Sequence, residues 1–135
     1  MTHADWKRVA LVVDDEAFAR LYAVQVLLDE GFIVLEAADA DQGLEVLACH
    51  DDISILFTDV SMPGALDGLD LVDRVRAERP DVALVVTSGR AEPAAGRLPD
   101  GASFLPKPYM AHALIEAIRG ASGGGGQGEA ALLRT

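Results

Sequence analysis

Five short apolar runs punctuate the chain, and all but the second end in polar or chain-breaking residues. Arg8-Val9-Ala10-Leu11-Val12-Val13 stops at Asp14-Asp15-Glu16, and Phe32-Ile33-Val34-Leu35-Glu36 stops at Ala37-Ala38. The longest, Ile53-Ser54-Ile55-Leu56-Phe57-Thr58-Asp59, is broken by Met62-Pro63-Gly64. Val82-Ala83-Leu84-Val85-Val86 ends in Thr87-Ser88-Gly89, and Ala102-Ser103-Phe104-Leu105-Pro106 runs into Lys107-Pro108. Apolar runs of this length between breakers predict fully buried strands.

Between the runs the spacing turns helical. From Ala17 to Glu30, Phe18, Leu21, Val24 (or Gln25) and Leu28 recur on one face, and Gly31 stops the helix. Asp39 is the expected N-cap of a helix reaching about His50, with Leu44 and Leu47 inward. Gly68 to Arg79 carries Leu69, Leu71, Val72 and Val75, and Pro80 closes it. Tyr109 to Arg119 places Met110, Ala113, Leu114, Ala117 and Ile118 inward. The stretch 91–101 holds Pro93, Gly96, Pro99 and Gly101, so any helix there is expected to be short or mobile. This alternation of strand and helix implies a parallel sheet covered on both faces, joined by right-handed crossovers.

Length and composition narrow the picture. The chain has 135 residues, enough for one domain with a sizeable core. Residues 1–7 read as a polar lead-in and residues 8–119 as the domain. Residues 120–135 read as a flexible glycine-rich tail, since Gly120 to Gly128 has a linker composition. A formal net charge of −11 disfavours direct nucleic-acid binding and anionic membranes; it suits a cation or a basic protein patch. Cys49 is the only cysteine, which excludes an intrachain disulfide; at the end of a helical pattern it is expected to be buried or half-buried. The N-terminal apolar run, Val9 to Val13, is too short for a signal peptide or a membrane span, so a cytoplasmic location is expected.

The chemistry-bearing residues gather at strand ends. Asp14 and Asp15 end the first strand, Asp59 the third, Thr87 the fourth and Lys107 the fifth. All therefore fall on the carboxyl edge of one sheet, where ligands of open α/β sheets bind. The asymmetry fits a flavodoxin-like α/β fold, a (βα)5 three-layer sandwich with strand order 2-1-3-4-5. Its crevice, between strands one and three, would hold Asp14, Asp15 and Asp59. Three converging carboxylates repel, and a hard divalent cation relieves that cost. Mg2+ takes oxygen ligands, typically one or two carboxylates together with a phosphate. Asp59 is the expected nucleophile toward a phosphoryl group, with Lys107 and the Thr87 hydroxyl offsetting charge on the transferred oxygens. Singly, each residue has an ordinary reading as a cap, turn or surface charge. Their joint placement on one edge outweighs those readings.

These residues resemble the receiver domain of two-component response regulators. The resemblance is carried by Val12-Val13-Asp14-Asp15-Glu16, Thr58-Asp59-Val60-Ser61-Met62-Pro63-Gly64 with Asp67-Gly68, and Val86-Thr87-Ser88-Gly89. Gly101-Ala102 and Phe104-Leu105-Pro106-Lys107-Pro108-Tyr109 complete it, over about residues 8–119. It implies phosphorylation of Asp59 by a histidine kinase or histidine phosphotransfer protein. The domain would catalyse only its own phosphorylation and dephosphorylation. The implied Mg2+ ligands are Asp15, Asp59 and the Ser61 backbone carbonyl, supported by Asp14. Lys107 would pair with the phosphoryl group, Lys107-Pro108 would be cis, and Thr87 and Phe104 would act as the switch pair. A downstream protein would meet the face of the fourth helix, fifth strand and fifth helix.

Three departures from the family pattern stand out. The loop Gly64-Ala65-Leu66-Asp67-Gly68 is one residue longer than the commonest form, which should cause a local bulge without loss of chemistry. Phe104 lacks the hydroxyl of the tyrosine often found there. The fourth helical segment is rich in proline and glycine. Two settings are compatible with this reading: a stand-alone receiver, or one excised from a hybrid kinase or longer regulator. The alternatives are a degenerate receiver serving as a non-phosphorylated binding module, and an aspartate-nucleophile phosphohydrolase. The second commonly needs an acid two residues after the nucleophile, where this chain has Ser61.

Overall fold

Strand β1 (Val9–Val13) pairs in parallel with β2 (Ile33–Ala37) on one side and β3 (Ile53–Asp59) on the other. β4 (Ala83–Ser88) and β5 (Ser103–Pro106) continue the parallel sheet, giving the order β2-β1-β3-β4-β5. The computed structural model describes residues 8–62, 64, 66–90, 92–94 and 96–121. Four helices are present among them: α1 (Ala17–Asp29), α2 (Ala40–Cys49), α3 (Gly68–Glu78) and α4 (Ala111–Gly120). The lead-in 1–7 and all of the expected tail beyond Ala121 lie outside the described residues.

The apolar runs are continuous because both faces of the sheet are covered. Leu11, Val13, Leu56, Leu84 and Val86 pack with Leu47 of α2 and with Leu71, Val72 and Val75 of α3. Their alternates Ala10, Val12, Ile55, Phe57 and Val85 pack with Ala23, Val24 and Leu27 of α1 and with Leu114, Ile115 and Ile118 of α4. Each large aliphatic side chain removed from water here contributes roughly 1.5–3 kcal/mol.

Local signals set the helix ends. Gly31, at φ 93°, ends α1; its N–H reaches the Leu28 carbonyl and the Phe32 N–H reaches that of Leu27. Asp39 caps α2 by accepting from the Gln42 N–H at 2.8 Å. Asp67 and Asp70 form a reciprocal capping box at the start of α3. The Arg79 guanidinium donates to the carbonyls of Leu47, His50, Asp51 and Ile53, tying the end of α2 to the start of β3.

Three expectations about burial are corrected. Val24 is buried as expected, but Phe18, Leu21 and Leu28 point outward, with Phe18 88% exposed; Ala23, Val26 and Leu27 share the inner face with Val24. Helix α1 is apolar on two sides, so its spacing alone admitted either, and the sheet took the side that includes the small Ala23. Met110 is exposed because it caps α4 from outside the helix. Cys49 is also exposed, since the last turn of α2 turns it away from the sheet.

Between β4 and β5 the described residues form turns rather than a helix. The Arg97 N–H reaches the Ala94 carbonyl, and Gly96 and Gly101 adopt positive φ. Arg97 pairs with Asp73 of α3 at 2.9 Å, and Arg76 donates to the Asp100 carbonyl, so the segment is fastened to α3. No helix among the described residues is long and apolar enough to cross a membrane.

Candidate functional site

At the carboxyl edge the strand ends are bonded to one another. The Val60 N–H donates to the Thr87 carbonyl at 2.8 Å, and the Lys107 N–H to the Ser88 carbonyl at 2.9 Å. This stitching draws Asp14, Asp59 and Lys107 to one point. Lys107 Nζ lies 2.8 Å from Asp59 Oδ2, 3.2 Å from Asp14 Oδ2 and 3.5 Å from Glu16 Oε1. One carboxylate oxygen from each of Asp14, Asp15 and Asp59 lies within 4.8 Å of the other two. Asp14 and Asp59 are buried, whereas Asp15 is exposed at the rim.

The other oxygen of each buried acid is also engaged. Asp59 Oδ1 accepts from the Ser61 N–H at 3.0 Å, and Asp14 Oδ1 accepts from the Glu16 N–H at 2.9 Å. Burial pushes the Asp14 carboxyl above the ordinary aspartate value, against the lowering effects of the Glu16 N–H and of Lys107. Burial alone would lower the Lys107 ammonium. Its hydrogen bond to Asp59, with the charges of Asp14 and Asp59, overcomes that and raises its pKa above the ordinary lysine value.

A cleft of about 400 Å³ opens over this cluster, lined by Asp15, Asp59, Ser61, Ser88, Arg90 and Lys107 among others. The donor set fits a hard divalent cation: all three acids offer oxygen, and the exposed Asp15 leaves room for the waters such an ion retains. The Ser61 side of the loop lines the cleft through the same turn that directs its N–H to Asp59. Lys107-Pro108 is cis.

Thr87 pairs with Asp59 across β3 and β4, but its hydroxyl and the Phe104 ring engage groups outside the charge cluster. The buried Thr87 hydroxyl donates to the Leu105 carbonyl at 2.6 Å. Phe104 is half-buried against the core on the α2 and α3 side. Tyr109 stacks edge-on against Phe57 at 5.8 Å between centroids and contacts Tyr22 of α1 at 5.7 Å.

Sequence reasoning passed over several residues at this edge. Glu16 and Arg90 line the cleft, and their signal was position: Glu16 closes the Val12–Glu16 motif, where it was given no role, and Arg90 directly follows Val86-Thr87-Ser88-Gly89. Gly68 is required by close approach, because a Cβ there would lie 1.9 Å from the Asp59 carbonyl oxygen. Arg20, one turn into α1, donates to the Asp14 carbonyl, a contact that has no signal in the sequence.

The family model for the response regulator receiver domain matches residues 10–119. The chain belongs to this family. It is 35% identical over 113 residues to the sensor kinase CckA of Brucella abortus, covering 81% of this chain and 12% of that protein. It is 36% identical to the nitrogen assimilation regulatory protein NtrX of Azorhizobium caulinodans, over 78% of this chain and 24% of that one. It therefore spans a quarter or less of these two relatives. A CheY homologue of Campylobacter jejuni matches nearly end to end, at 32% identity over 89% of this chain and 97% of its own. Among solved structures, a response regulator receiver protein of Sinorhizobium medicae superposes with a TM-score of 0.77 at 30% identity, covering 84% of this chain and 92% of that one. The receiver domain of the hybrid histidine kinase CckA gives 0.70 at 32% identity, covering 82% and 95%. This chain is thus a receiver domain of two-component signalling, with an acidic cluster able to hold a metal.

Proposed function

We propose that this receiver accepts a phosphoryl group on Asp59 from a phosphohistidine, in an Mg2+-dependent transfer. The donor would be a histidine kinase or a histidine phosphotransfer protein. The observation that carries the reading is the 2.8 Å contact of Lys107 Nζ with Asp59 Oδ2, inside a buried cluster completed by Asp14 and rimmed by Asp15. In the transfer an Asp59 oxygen bonds to phosphorus while the P–N bond to histidine breaks and the electron pair stays on the imidazole nitrogen. Asp15, Asp59 and the Ser61 carbonyl, with Asp14 in support, would hold the ion. When bound, Mg2+ would neutralise charge on the transferred oxygens.

The chain's own residues account for the rest. Lys107 is held beside Asp59 and supplies a fixed positive charge for a phosphoryl oxygen, with little rearrangement. The Ser61 N–H orients the Asp59 carboxylate. Thr87 would leave the Leu105 carbonyl to meet the phosphoryl group, and Phe104 would move inward with it. That rearrangement would change the face formed by the 92–102 segment, β5 and α4, and so alter contacts with a downstream protein. The reading places the domain in the cytoplasm.

Intact mass after incubation with a small phosphodonor and Mg2+ tests this on the wild type and on Asp59→Asn. One added phosphoryl group in the wild type alone, abolished by EDTA, is expected. Absence of label, together with no Mg2+-dependent binding of a beryllium fluoride mimic, would favour a non-phosphorylated binding module.

A further inference from the structure

We infer that Arg20 and Glu36 form a positioning pair that sets the metal-binding geometry of the Asp14-Asp15 turn; the inference rests on the Mg2+ reading above. Arg20 Nη1 donates to the Asp14 main-chain carbonyl at 2.6 Å, while its Nε donates to Glu36 Oε1 at 3.1 Å. The Asp14 carbonyl belongs to the peptide plane joining Asp14 to Asp15. That plane is one of the two that set where the Asp15 side chain leaves the backbone; the other carries the Glu16 N–H, which Asp14 Oδ1 holds.

The turn needs such a fixture. Asp14 is anchored on its own, through its N–H to the Ala37 carbonyl, Oδ1 to the Glu16 N–H and Oδ2 to Lys107. Asp15 is exposed and accepts none of the hydrogen bonds found among the described residues, so its placement depends on the backbone beneath it. Glu36 comes from β2, the strand that otherwise brings no side chain to the charge cluster. It orients the guanidinium fork and offsets a positive charge that would otherwise oppose a cation at the triad. The Arg20 side chain is only 22% exposed, which restricts it to this geometry. Supports of this kind around metal ligands typically carry 10–100-fold in affinity.

The sign of the effect separates positioning from charge. Removing a cation near three carboxylates should tighten Mg2+ binding if charge is all that matters. Removing a positioning group should weaken it. Mg2+ affinity is measured by titration calorimetry on the wild type, Arg20→Gln, Arg20→Lys and Asp15→Asn, with circular dichroism and ion-free melting temperature as checks of folding. Arg20→Gln is expected to bind Mg2+ about tenfold more weakly. Arg20→Lys, which keeps the charge but lacks the planar fork, is expected to fall between it and the wild type. Unchanged or tighter binding in a folded Arg20→Gln overturns the inference. If Arg20→Gln does not fold, wild-type affinity in Arg20→Lys overturns it instead. A wild type that binds no Mg2+, or an Asp15→Asn variant that binds it equally well, would refute the underlying metal reading.

Discussion

The Lys107 ammonium donates to Asp59 Oδ2 at 2.8 Å, from a residue 48 positions away in sequence. Together with its contact to Asp14, this lysine is the counter-charge that lets two acids sit buried at one strand edge. Lys107→Ala should therefore lower stability in the ion-free protein at pH 7 by about 1–3 kcal/mol, the cost of a buried group losing its partner. The Asp14 carboxyl, already raised by burial, would rise further. A raised acid favours the folded state less as pH increases through its folded value, so the variant should recover stability as pH falls. Mg2+ should bind it more tightly than the wild type. Urea denaturation across pH and calorimetry check both outcomes.

Gly68 starts α3 where the helix meets the end of β3. Its N–H donates to the Val60 carbonyl at 2.9 Å, and a Cβ would strike the Asp59 carbonyl. Backbone has to shift to admit a methyl group. Gly68→Ala is expected to cost about 1–3 kcal/mol, as overpacking does. It should also weaken Mg2+ binding, because the displaced atoms carry Asp59. Denaturant unfolding and an ion titration on the same sample check the two effects together.

Helix α1 offers a clean contrast between its two apolar sides. Leu27 is fully buried and Phe18 is 88% exposed. Leu27→Ala should cost about 2–5 kcal/mol. Phe18→Ser should stay within about 0.5 kcal/mol of the wild type, as exposed substitutions do. Similar losses from both, measured by urea unfolding, would contradict the observed rotation of the helix.

Tyr109 supplies a test at alkaline pH. Burial first, with the charges of Asp14 and Asp59 and the nearby Tyr22 adding to it against Lys107, pushes its phenol up to about 12 from 10.0. A group raised in the folded state contributes stability that is fully present below the unfolded value and lost as pH rises through the folded one. Folding stability should therefore decline between about pH 10 and pH 12. Tyr109→Phe should flatten that decline. The chain has two tyrosines, so absorbance titration of Tyr22→Phe reads the Tyr109 phenol directly; a midpoint near 10 would rule the shift out.

The strand order and the edge on which the polar residues gather were legible in the sequence. Continuous apolar runs mark strands buried on both faces, and strands alternating with helices permit few topologies. Because parallel strands share one carboxyl edge, Asp14, Asp59, Thr87 and Lys107 had to fall together there, whatever the details of packing. Capping by Asp39 and the stop at Gly31 were equally local, since each is a bond between neighbours in the chain.

Other features were decided only by the tertiary structure. An apolar residue can face core or solvent when its helix is apolar on two sides, and only the sheet chose Leu27 over Phe18. The turns between β4 and β5 are held by Arg97 on Asp73 and by Arg76 on the Asp100 carbonyl, partners supplied by α3. Gly68 stands in the Asp67-Gly68 pair and Arg20 in no motif, yet neither role could be read there, because both lie in distances to the Asp59 and Asp14 carbonyls. Backbone atoms look the same at every position in a sequence. Which carbonyl a side chain meets depends on how the chain folds, so these two supports of the acidic cluster emerged only in three dimensions.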